Sequence, residues 1–535
     1  MPVPPTSPAD RDETCRTGAS PRDRGDACPG ALRLHSAADG ALARIRVPAG
    51  LLTDRQAEVL AVLAEELGDG HLDLTSRGNL QLRGLPSDCG VVLGARLRAA
   101  GLLPSDAHER VRNLVASPLS GLDGSGHADV QTWARDLDRL LCANPDITEL
   151  SGRFLFGLDD GRGDVAALDP DVTLIAEEGG RAVLRYAAGP AGLRIPATDA
   201  PRAAVLAAEH FLATLRAHEV TAWRVKDLAP QHRPCMGALA DRLAKAGIPA
   251  EPADTTAAAD AMAVDATAVA VAADAATVAV AAGPGSAAGR APAPLEAVTG
   301  PAPAPPEAPA QPQAVTGETA TVPACGTTAV AVPAPAVEPG LVTGPDGRCA
   351  LSVTAPLGRL TAGQWRLLAR TAAEAGTGEL RVTPWRGIVV PGLTRGAAAA
   401  WLAVLADAGL VTSPISPWHR AGACAGRPGC AKSLTDVRAD AADALTDARP
   451  GGPRLLPVYW SGCERRCGHP SDGPWVDVLA TADGYRVTVR TGAPDAPSRA
   501  VAPETARELA EAVTTARTTG TTTAAAPPPG TTRTT

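Results

Sequence analysis

Pro48-Ala49-Gly50-Leu51-Leu52-Thr53-Asp54-Arg55-Gln56 returns as Pro356-Leu357-Gly358-Arg359-Leu360-Thr361-Ala362-Gly363-Gln364, 308 positions further on. The two stretches share the proline, the Leu-Thr pair and the glutamine. The same offset carries Thr75 onto Thr383, Gly84-Leu85 onto Gly392-Leu393, and Gly101-Leu102 onto Gly409-Leu410. One ungapped register over about sixty residues is a duplication rather than coincidence, and a repeat changes the reading of the whole fold.

Each copy has the same predicted order of elements. A strand (43–47; 351–355) runs to the proline, and a helix then starts at a Thr N-cap, Thr53 or Thr361. An alternating strand follows (71–75; 379–383), then a short loop, a further strand (80–83; 388–390) and a second helix (89–100; 396–408). This is most of a ferredoxin-like α+β unit. Beyond each unit lies a mixed segment with a helix (129–142; 433–447), a strand and a hairpin that turns at Glu178-Gly179-Gly180 or Asp483-Gly484. The expected division is a half-domain at 25–106 with its companion at 107–250, and a second half-domain at 341–415 with its companion at 416–517.

Composition supplies the remaining boundaries. Residues 251–340 are almost wholly Ala, Pro, Val, Thr and Gly, and no aromatic residue occurs between Trp223 and Trp365. Such a stretch buries too little surface to offset its ordering entropy, so it is predicted to be a disordered linker; 1–24 and 518–535 are read likewise. The chain of 535 residues carries a net charge of −8, which argues against nucleic-acid binding. The N-terminus has no apolar signal core, and the most apolar run, 266–283, is Ala/Val with Asp274 inside it. The expectation is a cytoplasmic protein without a membrane span. Its 11 cysteines then suit metal binding, catalysis or burial better than disulfides.

Four of those cysteines form a pattern. Cys424-x5-Cys430 and Cys463-x3-Cys467 are separated by 32 residues, and both pairs lie in Gly-rich loops, the second directly after a predicted strand. Such loops bring thiolates and backbone N–H groups to an iron–sulfur cluster, and Arg427, Arg465 and Arg466 are placed to offset its charge. A four-cysteine zinc site is the alternative, although structural zinc favours tighter knuckles than x5. No G-x-G-x-x-G follows a predicted strand, so no dinucleotide site is visible.

With these residues in view, the chain resembles the nitrite and sulfite reductase superfamily, over nearly its whole length outside the linker and tails. That family pairs duplicated ferredoxin-like halves with a C-x5-C…C-x3-C site for a [4Fe–4S] cluster beside a tetrapyrrole. The stretch Thr75-Ser76-Arg77-Gly78-Asn79-Leu80-Gln81-Leu82-Arg83 looks like its tetrapyrrole-binding strand and loop, Arg112-Asn113 like its second basic motif, and Leu150-Ser151-Gly152-Arg153-Phe154 like its third. Within the superfamily the precorrin-3B synthase family is the most similar. The likeness rests on the opening Gly25-Asp26-Ala27-Cys28-Pro29-Gly30, on Cys463-Glu464-Arg465-Arg466-Cys467-Gly468-His469-Pro470, and on Leu155, where the reductases carry a second basic residue after the one at Arg153.

The resemblance implies hydroxylation of precorrin-3A by dioxygen and closure of a γ-lactone. Electrons would come from an external donor, NADH through a reductase or a ferredoxin. It also implies a mononuclear non-haem iron, whose ligands the sequence does not identify. Sirohaem would be present only if the chain is instead a nitrite or sulfite reductase. A precorrin bears several carboxylates, and the planar fork of Arg suits them. Arg77, Arg83, Arg112 and Arg153 are therefore the expected substrate contacts, supported by Asn79, Gln81 and Asn113. In the second copy Trp385 replaces Arg77 and Gly387 replaces Asn79, so the binding set belongs to the first. Cys28 is either a ligand or a buried thiol, and His469 either reaches the cluster or substrate or is structural.

Overall fold

The computed structural model describes residues 28–254, 337–446, 448, 455–470, 473–491 and 505–519. The expected N-terminal tail, nearly all of the expected linker and most of the C-terminal tail lie outside the described residues, as do Gly25, Asp26 and Ala27.

The first copy contains β1 (His35–Ala37), β2 (Gly40–Ile45), β3 (Leu51–Thr53), α1 (Asp54–Glu66), β4 (His71–Leu74), β5 (Leu80–Leu85) and α2 (Gly90–Ala99). It continues into β6 (Leu114–Ala116), α3 (Val130–Ala143), β7 (Phe156–Asp159), β8 (Val172–Glu177), β9 (Arg181–Tyr186), β10 (Ala191–Pro196), α4 (Ala200–Ala217), α5 (Met236–Lys245) and β11 (Glu251–Asp254). The second copy contains β12 (Gly340–Thr343), β13 (Cys349–Thr354), β14 (Arg359–Thr361), α6 (Ala362–Ala375), β15 (Glu379–Val382), β16 (Gly387–Leu393) and α7 (Arg395–Asp407). Its companion has β17 (Ala421–Ala423), α8 (Val437–Thr446), β18 (Val458–Ser461), β19 (Trp475–Thr481), β20 (Gly484–Arg490) and α9 (Ala506–Thr519).

The repeated Thr and Gln form capping boxes at the starts of α1 and α6. The same glutamines reach further: Gln56 Nε2 donates to Ala100 O at 3.1 Å and Gln364 Nε2 to Ala408 O at 2.9 Å. Each thereby ties the start of one helix to the end of the next. Three-residue strands then pass between the halves. β14 pairs with β4 and β3 pairs with β15, giving two five-stranded sheets ordered β1-β2-β5-β4-β14 and β12-β13-β16-β15-β3. Gly50, at φ +71°, permits that crossing, because a β-carbon there would lie 1.9 Å from Val382 O.

α1 and α6 meet on the pseudo-twofold axis. Trp365 Nε1 donates to Ala57 O at 2.8 Å and Arg366 Nε to Glu58 at 2.8 Å, each joining residues 308 apart. A residue can touch its own repeat image only on the axis. One continuous hydrophobic core serves both sheets, with Leu60, Leu63, Leu80 and Leu82 from the first copy and Trp365, Leu368, Ile388 and Val390 from the second.

The companion domains carry a six-stranded sheet, β11-β10-β9-β8-β7-β6, and a four-stranded one, β17-β18-β19-β20. In both, three strands run parallel and the last of them continues into an antiparallel hairpin. Three details differ from the sequence expectation. Residues 251–254 pair with β10 instead of opening the linker. α8 starts at Val437, after a turn in which the Asp436 carboxylate accepts from the N–H groups of Arg438 and Ala439. α9 runs on to Thr519. Among the described residues no helix is long and apolar enough to cross a membrane.

Candidate functional site

Strand alternation sorts the first sheet into an apolar and a polar face. Ala41, Ala43, Ile45, Leu80 and Leu82 enter the shared core, so Arg44, Arg46, Asn79, Gln81 and Arg83 fall on the other side. Arg44 is registered opposite Gln81, and its Nη2 donates to Gln81 Oε1 at 3.3 Å. The corresponding face of the second sheet carries Ser352, Thr354, Gly387, Val389 and Pro391, without charge.

Buried amides bind the three motifs together. Asn79 accepts from Val47 N–H at 3.0 Å and donates to Asn113 Oδ1 at 3.0 Å. Asn113 Oδ1 also accepts from Arg46 Nη1 at 3.1 Å, and its Nδ2 donates to Phe154 O at 3.0 Å. Arg46 in turn donates to Gly152 O at 2.9 Å and to Cys28 Sγ at 3.2 Å. Cys28 is a buried thiol in this network.

The four expected arginines separate into two groups. Arg77 Nη1 donates to Arg153 O at 3.1 Å, and the exposed Arg153 guanidinium lies over Trp223, 4.2 Å from the ring centroid. Burial pulls the Arg77 pKa down to about 10, and the charges of Arg224 and Arg46 add to the effect against Cys28 and Asp171. Positive charge is thus crowded here, and a carboxylate would relieve it. Arg83 and Arg112 each fork onto a carboxylate of the protein. Arg83 forks onto Asp39 at 2.8 and 2.9 Å and donates to Gly429 O at 2.6 Å. Arg112 forks onto Asp138 at 2.7 Å twice and donates to Leu102 O at 3.1 Å. Arg44, Arg46, Arg224 and Trp223 were missed from the sequence. The signal for the first two was there: two arginines alternate with core residues at the end of an apolar strand.

The four cysteines lie at the ends of adjacent parallel strands. Cys424 directly follows β17 and Cys463 follows β18 by two residues, the strands being registered Ala423 to Trp460. Cys424 N–H donates to Trp460 O at 2.9 Å, Gly462 N–H to Cys424 Sγ at 3.3 Å, and Tyr459 OH to Cys467 O at 2.6 Å. Burial raises the Cys467 pKa; Arg465 opposes this, while Cys463, Cys424 and Cys430 reinforce it, so all four sulfurs are within electrostatic reach. Yet no three of them lie within 4.8 Å of one another. A single tetrahedral zinc with bonds of about 2.3 Å would hold its sulfurs closer, at roughly 3.8 Å. The wider set, with a backbone N–H aimed at one sulfur, fits an iron–sulfur cluster. Of the arginines expected to offset its charge, Arg466 is paired with Asp477 and Glu464, and Arg427 donates to Ser433 O. His469 stacks on Trp475, with centroids 5.3 Å apart.

A buried carboxylate cluster after β7 also escaped the sequence reading. Asp159, Asp160 and Asp164 converge within 4.8 Å. Asp159 accepts four backbone N–H groups, from Gly161, Gly163, Val165 and Ala166, and Asp160 is held by Arg162. Asp164 Oδ1 accepts from Ser117 OH at 2.6 Å, whereas its Oδ2 has no hydrogen-bond partner among the described residues. Burial, reinforced by the charge of Asp159, raises the Asp164 pKa to about 7.

The nitrite/sulfite reductase ferredoxin-like half domain matches residues 35–89 and 343–408, the two copies of the repeat. The chain is 35% identical over 127 residues to the ferredoxin–nitrite reductase of Synechococcus elongatus, covering 23% of this chain and 25% of that one. It is 30% identical over 154 residues to a precorrin-3B synthase from Sinorhizobium sp, covering 29% and 33%. These matches therefore span a quarter to a third of the relatives' length. Among solved structures, the Mycobacterium tuberculosis NirA protein superposes with a TM-score of 0.54 at 17% identity, over 89% of this chain and 79% of that one. The fold is the duplicated nitrite and sulfite reductase fold.

Proposed function

We propose that this chain is an iron–sulfur monooxygenase of the precorrin-3B synthase type, which hydroxylates precorrin-3A with dioxygen and reducing equivalents while a substrate acetate closes a γ-lactone. The observation that carries the reading is Leu155. It is 4% exposed and packs with Val115 and Val165, so the place of the reductases' second basic residue is filled by core. Similarity to the Sinorhizobium synthase accords with this reading, and similarity to the ferredoxin–nitrite reductases accords equally with the second one below.

In this reading Arg77 and Arg153 meet rim carboxylates of the tetrapyrrole, and the polar sheet face with Arg44 and Gln81 lies under it. Asn79 and Asn113 hold Arg46 and the 152–154 backbone in place behind them. Arg83 joins this sheet to the cysteine loop through Gly429 O. Cys424, Cys430, Cys463 and Cys467 would hold a [4Fe–4S] cluster, which supplies electrons one at a time from an external ferredoxin or NADH-dependent reductase.

A sirohaem-dependent nitrite or sulfite reductase is the second reading. The crowding of Arg46, Arg77 and Arg224, which also suits a small anion, favours it. Incubating the anaerobically purified chain with precorrin-3A, dioxygen and a reductant separates the two. The hydroxylated lactone, from protein without sirohaem bands, is the expected result. Tightly bound sirohaem with nitrite or sulfite turnover would overturn the proposal.

A further inference from the structure

Arg386 occupies the position that Gly78 holds in the first copy, 308 residues earlier. Both adopt left-handed backbone, with φ +61° for Arg386 and +63° for Gly78. Glycine does this without steric cost, whereas a residue with a β-carbon does not. The second copy thus retains a side chain where the backbone disfavours one, and such sites tend to be functional.

The side chain leads to the cysteine centre. Arg386 Nη2 donates to the carbonyl of Gly468, next to Cys467, at 3.2 Å. Its Nη1 lies 3.5 Å from where a β-carbon on Gly422, two residues before Cys424, would sit. The guanidinium also faces the ring of Tyr459 at 5.8 Å, and that tyrosine's OH donates to Cys467 O. The cation thus lies between the strand that leads to Cys424 and the loop that carries Cys467. Arg466 is paired with Asp477 and Glu464, whereas Arg386 makes no ion pair among the described residues.

Resting on the cluster reading above, we infer that Arg386 is a positioning and tuning residue of the cysteine centre: its charge favours the reduced, more negative form of the cluster, and its bond to Gly468 O steadies the Cys467 loop. Charge and hydrogen bonding around the sulfurs are the protein's means of setting such potentials.

Three variants of the full chain test this, each characterised anaerobically for iron and sulfide content and by an EPR-monitored redox titration. Arg386→Gln and Arg386→Gly are expected to load the cluster but to shift its one-electron reduction equilibrium about tenfold toward the oxidised form, which is about 59 mV. Arg386→Lys, which keeps the charge, is expected to restore most of the difference. Loaded Gln and Gly variants at the wild-type potential would overturn the inference, as would a Lys variant no better than Gln. Wild-type protein free of iron and sulfide would instead refute the cluster reading itself.

Discussion

Arg112 and Arg153 belong to the same family resemblance, yet their surroundings differ. Arg112 is buried and forks onto Asp138, 26 positions away in sequence. Removing one partner of such a pair leaves a buried charge uncompensated, and Asp138→Ala should lower unfolding free energy by about 3 kcal/mol in denaturant titrations. Arg153 is exposed over Trp223. Arg153→Ala should leave stability within about 0.5 kcal/mol and, on the proposed function, raise the KM for the tetrapyrrole. If the two variants behave alike, the division between a structural and a binding arginine fails. Sequence reasoning had no means of making that division, because a carboxylate partner is chosen by the fold and no spacing rule announces Asp138.

Asp164 adds a pH dependence at the same scale. Its folded pKa of about 7 lies above the ordinary carboxylate value near 3.9, so the folded state holds a proton that the unfolded state has released. Its contribution is therefore fully present below about pH 4 and is lost progressively as pH rises to about 7. The slope should be roughly 1.4 kcal/mol per pH unit at its steepest, with little further loss above that range. Asp164→Asn should reduce this slope in melts recorded from pH 4 to 8 without abolishing it, because burial also raises the neighbouring Asp159. A variant with the wild-type slope would assign the effect to another group. Adjacent acids in a Gly-rich loop look like ordinary solvated surface in sequence, and only burial behind Ser117 gives them this property.

At the level of elements, the 308-residue register made the helices and their Thr caps legible, because N-capping and helical periodicity are local. The exchange of β3 and β14 was not legible. Strands of three residues carry too little alternation to name a partner, and pairing across the axis depends on the approach of the other half. Trp365 marks that approach. It is fully buried in the shared core, and its indole N–H satisfies Ala57 O within α1. Trp365→Ala should cost about 3–5 kcal/mol. Trp365→Phe should cost less, about 1–2 kcal/mol, chiefly from the lost hydrogen bond. Equal losses in the two variants would mean that the indole N–H contributes nothing at the seam.

For the molecule as a whole, the two half-domains lie 308 residues apart in sequence, and the structure joins them through exchanged strands. The first sheet is completed by Arg359–Thr361 and the second by Leu51–Thr53, around one common core. A half expressed alone would expose the apolar faces of α1 or α6 and leave a sheet edge unpaired, which favours aggregation. The candidate site has the same dependence, since Arg83 of the first copy bonds Gly429 in the cysteine loop of the second. A protease site placed between residues 263 and 331 tests this directly. After cleavage the two fragments should co-elute as one complex, keep the visible spectrum of the intact chain and unfold in a single transition. Fragments that separate under native conditions, or a first half that folds and stays soluble when expressed alone, would show that the reciprocal strands do not hold the molecule together and that each copy is a domain in its own right.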